Sequence, residues 1–335
     1  MKRKTAVCLI CVILVMLAAA LTIAACFRNL LGKINYVNPE TAPTLSQEEL
    51  DAYQATEESS VLPPATEFPE VEFGGHDTQI SGSNILNILL IGQDRKEGQI
   101  RARSDTVLLC TFQKSEKVLT MTSFLRDLYV RIPGYKNNRL NAAYAAGGMK
   151  LLNQTLEANF GIQVDGNVEV DFTQFAQIID LLDGVTLTLR QDEANAINDS
   201  APGNVTEGLQ HLNGQQALAY IRLRKLDSDG DFSRTNRQRK LLAALLEAYK
   251  DAGISTMLSL LDVILPMITT DLTESDILAY AKELFPLLPE LEIRSQCIPA
   301  EGTYSYKTIR NMAVLVADMD AARTLLEQTL VDTGS

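Results

Sequence analysis

The sequence predicts an α/β fold in which helices pack on a mixed sheet. Three features carry that reading. A nearly continuous apolar run at residues 85–92, ILNILLIG, suits a strand buried on both faces. Longer stretches place apolar residues at helical spacing. The two kinds of segment interleave, and no internal repeat is present.

The elements follow in order. Residues 106–112 form a second strand, and the polar turn at 114–117 leads into a third at 118–124, giving a hairpin. Residues 141–160 carry a helical apolar pattern that stops at Gly161. A helix over 172–182 precedes a strand over 185–189, and His211 sits in a polar, glycine-flanked turn. Asn213, with Gln216 three residues on, opens a helix through Tyr220. A strong helix covers 234–250, and helices near 275–284 and 312–330 close the chain.

The chain has 335 residues, 46% hydrophobic and 21% charged, enough for one large domain with accessory segments. A net charge of −12 argues against bulk nucleic-acid binding, which needs a cationic surface. Only Cys110 and Cys297 lie in the body, and no CxxC or HExxH motif is present. Cys110 reads as a small buried hydrophobe, with a disulfide to Cys297 left open.

Lys2, Arg3 and Lys4 precede an uncharged run over 5–26. As a helix it would span about 33 Å, enough to cross a hydrocarbon core of roughly 30 Å. The basic tip at 1–4 favours an inside N-terminus, placing the body outside the cytoplasm. A cleaved signal peptide and a lipoprotein-like box ending at Cys26 are the alternatives, and both give the same compartment. Residues 27–83 read as an acidic stalk or linker with a short helix near 47–54; ten acids and no Lys or Arg lie between Ile34 and Ser83. The core is expected over 84–251, with 252–335 a mostly helical part of the same domain.

In this acidic chain, cations gather between Arg222 and Lys240. Arg222 and Arg224, two apart in an extended segment, would point to one side. Arg234 and Gln238 share a helix face. Asp231 lies at that helix's N-terminus, placed to cap it or meet its dipole. Arginine forks suit phosphate oxygens. Arg237, Arg239 and Lys240 read instead as a solvated face of surface ion pairs. Upstream, Asp94 follows the first strand, and Arg103-Ser104-Asp105 leads into the second. Two carboxylates without His or Cys suit a hard cation such as Mg²⁺. Arg126 and Asp127 follow the third strand, and Arg139 and Asn141 precede the long helix.

In sequence order these residues resemble the LytR–CpsA–Psr family of cell-wall glycopolymer transferases. The resemblance runs from Asn87-Ile88-Leu89-Leu90-Ile91-Gly92-Gln93-Asp94 through Arg103-Ser104-Asp105-Thr106, Phe124-Leu125-Arg126-Asp127 and Arg139-Leu140-Asn141-Ala142-Ala143-Tyr144. It continues through Gly208–Arg222 to Asp231-Phe232-Ser233-Arg234 with Arg237-Gln238. Gln93, Leu125, Arg139 and Ser233 depart from the family's usual residues, leaving every charged site position intact.

The resemblance implies an α/β/α sandwich with a groove for a polyprenyl tail. It implies Mg²⁺ or Mn²⁺ on Asp94 and Asp105. Pyrophosphate would be held by Arg103, Arg126, Arg222, Arg224, Arg234 and Gln238. Arg126, Asp231, Arg222 and Arg224 would be the catalytic set, with Asp127, Arg139 and Asn141 as possible additions. The implied activity is transfer of a glycopolymer from a polyprenyl pyrophosphate to peptidoglycan at the cytoplasmic membrane. A polyprenyl pyrophosphate hydrolase and a non-catalytic regulator are the alternatives.

Overall fold

A computed structural model describes residues 32–55, 71, 73, 79–94, 101–224, 226–227 and 230–330. The expected membrane helix at 5–26 and the basic tip lie outside them. No described helix is long and apolar enough to cross a membrane.

The elements run β1 (Asn35–Tyr36), α1 (Gln47–Ala55), β2 (Ile85–Gln93), β3 (Ser104–Gln113), β4 (Val118–Phe124), β5 (Tyr129–Val130), β6 (Asn138–Arg139) and α2 (Leu140–Phe160). Next come β7 (Gly166–Asp171), α3 (Phe172–Leu181), β8 (Val185–Leu189), α4 (Gln191–Ser200), β9 (Gly208–Leu212), α5 (Gly214–Arg222) and α6 (Asp231–Tyr249). The chain closes with α7 (Ile254–Ile264), β10 (Thr269–Thr270), α8 (Glu274–Leu284), β11 (Glu292–Ile298), β12 (Tyr304–Ile309), β13 (Met312–Ala317) and α9 (Met319–Leu330).

Seven strands make the central sheet, in the order β1-β10-β7-β2-β3-β4-β11. It is mixed, as expected: β2 pairs antiparallel with β3 and parallel with β7, while β11 lies parallel to β4. Side chains alternate across the pleat. Leu89 and Ile91 join the core shared with α2 and α9. Ile88 and Leu90 join the cluster containing Leu242 and Leu246 of α6. Helices therefore cover both faces. A satellite core under β8–β9 packs α3, α4 and α5 against Leu241 of α6.

Local signals place most boundaries. Asn213 and Gln216 form the expected reciprocal capping box. Gly161 ends α2 in the left-handed conformation. Inside α2, Gly148 adopts φ 63°, ψ −152°, and kinks the helix.

Several expectations need correction. Residues 208–212 are not a turn: β9 pairs with β8, and His211 sits opposite Thr186. The last helix begins at Met319, because the β-rich run MAVLVA forms β13 against β12. The region after 251 contributes three α-helices together with two strands of the main sheet, β10 and the edge strand β11, and this hairpin. The segment taken as stalk is partly structural, since Leu50 is fully buried and β1 joins the sheet. Cys110 is buried, as expected, and the disulfide left open is not formed: Cys110 and Cys297 are free thiols.

Candidate functional site

The C-terminal end of β2, the start of β3, the end of β4 and the N-terminus of α6 meet at one corner of the sheet. Asp105, on β3, is the hub. Its carboxylate accepts from Arg126 Nη1 at 2.5 Å and lies 3.5 Å from Arg224 Nη2 and 3.8 Å from Arg234 Nη1. Its backbone carbonyl accepts from Arg234 Nη2 at 2.9 Å. Burial pushes the Asp105 carboxyl up, but Arg126, Arg234 and Arg224 outweigh it and hold the group below its ordinary value.

Asp231 is the second hub. It accepts from Arg234 Nη2 at 2.9 Å and lies 3.9 Å from Arg224 and 4.0 Å from Arg126. It occupies the first turn of α6 without capping it; the cap position is Gly230, which has no side chain. Burial opposes the Arg126 charge, yet Asp127, Asp105 and Asp231 raise its pKa above the ordinary value. Burial lowers that of Arg234, which is 2% exposed, with Asp231 opposing.

Arg222 is the last residue of α5, so Arg222 and Arg224 are not in an extended segment. Their side chains diverge: Arg222 pairs with Asp94 at 2.7 Å and lies over the Phe172 ring at 4.5 Å, whereas Arg224 reaches Asp105. Arg139 lies 3.8 Å from Asp127 and donates to the Ala313 carbonyl. Asn141 donates its backbone N–H to the Arg126 carbonyl, fixing that residue's main chain. Arg103, half-buried, immediately precedes β3. Five arginines, Arg126, Arg139, Arg222, Arg224 and Arg234, thus share four aspartates, Asp94, Asp105, Asp127 and Asp231. The corner keeps a cationic excess inside an acidic chain. Arg126 Nε, Arg234 Nε and Gln238 Oε1 are buried without a hydrogen-bond partner, leaving donor and acceptor capacity for a bound group.

An apolar cavity of about 120 Å³ adjoins the cluster, lined by Leu90, Val170, Phe172, Phe175, Ile221 and Leu241, with Gly92, Thr106 and Gln238 toward the charged corner. Phe172 serves both regions, lining the cavity and lying under Arg222. Asp94 and Asp105 extend from paired neighbours, Gln93 and Ser104. Both offer hard oxygen donors, and among the described residues no group of three His, Cys, Asp or Glu side chains gathers for a metal. Oxygen donors of this kind are the ones Mg²⁺ takes, with waters and phosphate oxygens completing its shell; in this structure Asp94 pairs with Arg222, and Asp105 with Arg126, Arg224 and Arg234.

The expected surface character of Arg237 and Arg239 is overturned. Both are buried, and only Lys240 is exposed. Arg237 donates to Glu193 at 2.8 Å, to the Leu223 carbonyl and to Asp227, and so pins the segment carrying Arg224. Sequence reasoning also missed Phe172, and a buried chain in which Gln93 and Tyr144 donate to Glu169 while Gln93 accepts from Ala102 N–H.

Comparison with known proteins fits this architecture. Residues 47–329 match the LytR_cpsA_psr family. The chain belongs to that family. It is 31% identical over 222 residues to the regulatory protein MsrR of Staphylococcus aureus (strain Mu50 / ATCC 700699), covering 65% of this chain and 66% of that protein. It is 38% identical over 176 residues to the polyisoprenyl-teichoic acid–peptidoglycan teichoic acid transferase TagT of Bacillus subtilis (strain 168), covering 50% of this chain and 54% of TagT. These alignments thus span between about half and two thirds of the relatives' lengths. Among solved structures, TagT bound to LIIa-WTA superposes with a TM-score of 0.61 at 28% identity, covering 76% of this chain and 94% of that one. YwtF (TagT) with bound octaprenyl pyrophosphate lipid superposes with a TM-score of 0.57 at 26% identity, covering 76% and 93%.

Proposed function

We propose that this protein is an extracytoplasmic phosphotransferase that moves a glycopolymer from a polyprenyl pyrophosphate to peptidoglycan, anchored in the cytoplasmic membrane through residues 5–26. The observation that carries the reading is the convergence of Arg126, Arg224 and Arg234 on one corner that opens onto an apolar cavity. A diphosphate with a prenyl tail needs both, side by side. The relatives named above supply the chemical precedent.

In this mechanism Arg103, Arg126, Arg222, Arg224, Arg234 and Gln238 hold the diphosphate, and the cavity takes the first part of the tail. A peptidoglycan hydroxyl forms a new P–O bond to the glycopolymer-bearing phosphorus. The bridging P–O bond breaks, and polyprenyl monophosphate leaves with its electron pair. Asp231 orients Arg224 and Arg234 or takes the hydroxyl proton. Asp127 and Arg139 brace Arg126 from the far side. Asp94 and Asp105 would hold Mg²⁺ or Mn²⁺, which supplies charge neutralisation to the phosphate oxygens. Catalysis is then positioning and electrostatic stabilisation by fixed guanidinium groups.

The test uses full-length chain in detergent with a polyprenyl-pyrophosphate-linked glycan and peptidoglycan. Polymer should appear on peptidoglycan, and Arg126→Ala should lower kcat about 10²–10³-fold, by analogy with loss of one oxyanion donor. Prenyl phosphate release without polymer transfer would identify a hydrolase instead. Full turnover by the variant would remove Arg126 from the mechanism.

A further inference from the structure

The charged corner has a second neighbour, on the side away from the apolar cavity. Phe232 follows Asp231 on α6. It lies about 120° around the helix from Gln238, which lines the cavity. Its ring stacks on Tyr304 of β12, with centroids 4.8 Å apart and planes at 26°. Tyr304 in turn meets Tyr306 edge-on at 5.7 Å and 86°. The series runs from a half-buried ring to one that is 67% exposed.

The hairpin that carries these tyrosines is fastened to the site. Leu315 N–H of β13 donates to the Asp127 carbonyl at 2.9 Å, and Arg139 donates to the Ala313 carbonyl at 2.9 Å. An isolated exposed aromatic needs no explanation. Three rings in contact, ending at solvent beside an arginine cluster, form a preorganised surface with little side-chain entropy left to lose. A tyrosine offers an apolar face with a polar rim, which matches a pyranose, with C–H bonds on its faces and hydroxyls at its edge.

We infer that Tyr304 and Tyr306 form a stacking shelf for a pyranose ring next to the diphosphate corner. The inference rests on the proposed function, which puts sugar on one side of the diphosphate and lipid on the other. The ring could belong to the glycan on the carrier or to the peptidoglycan acceptor, and the two sources are separable.

Full-length protein in detergent, its Tyr306→Ala and its Tyr306→Phe variants are titrated with three probes: polyprenyl pyrophosphate without sugar, the same carrier bearing a glycan, and a soluble peptidoglycan glycan fragment. Tyr306→Ala should bind the sugar-free carrier as the parent does and keep the parent's Tm. It should weaken at least one sugar-bearing probe about three- to tenfold, the range of one aromatic contact, while Tyr306→Phe retains the affinity. Loss on the glycosylated carrier assigns the shelf to the donor, and loss on the fragment assigns it to the acceptor. Equal binding of both sugar probes by Tyr306→Ala and parent overturns the shelf. A parent that ignores the sugar-free carrier overturns the proposed function, and the fragment still tests the shelf; a parent that binds neither ends both.

Discussion

Replacing Arg237 by Met removes a guanidinium that is 3% exposed and keeps roughly its volume. Three partners lose it: the Glu193 carboxylate, the Leu223 carbonyl and the Asp227 carboxylate. Asp227 keeps Arg190 at 2.9 Å. Glu193, with its side chain 8% exposed, is left as a buried charge with no cation in direct contact among the described residues, only the more distant Arg190. Breaking one side of a buried pair costs about 3–5 kcal/mol, and the surviving Arg190–Asp227 contact places the value near the lower end. For a chain of 335 residues, at an unfolding entropy of about 2.1 cal/mol/K per residue, about 3 kcal/mol corresponds to a Tm fall of about 4 °C. A thermal melt reads the single variant. The double variant Arg237→Met/Glu193→Gln should recover at least half of the loss, because a neutral amide needs no countercharge and still accepts from the Arg190 backbone N–H. A single variant within 1 kcal/mol of the parent, or a double variant less stable than the single, would refute the argument.

The remaining predictions concern neighbouring groups. The Asp105 carboxyl is held below its ordinary value, so its contribution to stability is complete above the unfolded value of about 3.9 and is lost as pH falls below that. Urea midpoints measured from pH 6 to pH 3 should therefore drop more steeply for the parent than for Asp105→Asn; identical slopes would contradict this. Gly148→Ala forces a side chain into φ 63°, ψ −152°, with its Cβ 2.2 Å from Arg101 Nη1, and should cost about 1–3 kcal/mol in chemical denaturation. Phe172→Ala removes the ring under Arg222 and one wall of the cavity; affinity for polyprenyl pyrophosphate should fall by about tenfold or more.

Short-range order was readable where one residue type has one local use. Asn213 with Gln216 announces a helix start, and Gly161 announces a stop, because each acts within a turn of its own position. The apolar run at β2 likewise reports burial on both faces. Residues 208–212 failed because GLQHL alternates weakly, and its strand character comes from pairing with β8. Residues 312–330 failed because a strand and a helix abut with no glycine or proline between them. At the site, Arg126, Arg224, Arg234, Asp105 and Asp231 were all named in advance and do gather. Arg237 was misjudged because a run of charges looks the same whether it is solvated or buried. The deciding partner, Glu193, lies 44 positions away, where no spacing rule can reach.

The parallel pairing of β11 with β4 constrains how this molecule can be assembled. Every residue of β4 is buried, and one of its edges is closed only by a segment that begins at Glu292. During synthesis the N-terminal hairpin therefore exists for nearly 170 further residues with an apolar, unpaired border, the kind of surface that recruits other strands. Shortening the protein at the apparent end of its charged motifs would make that temporary border permanent, and the product should self-associate rather than yield a smaller working unit.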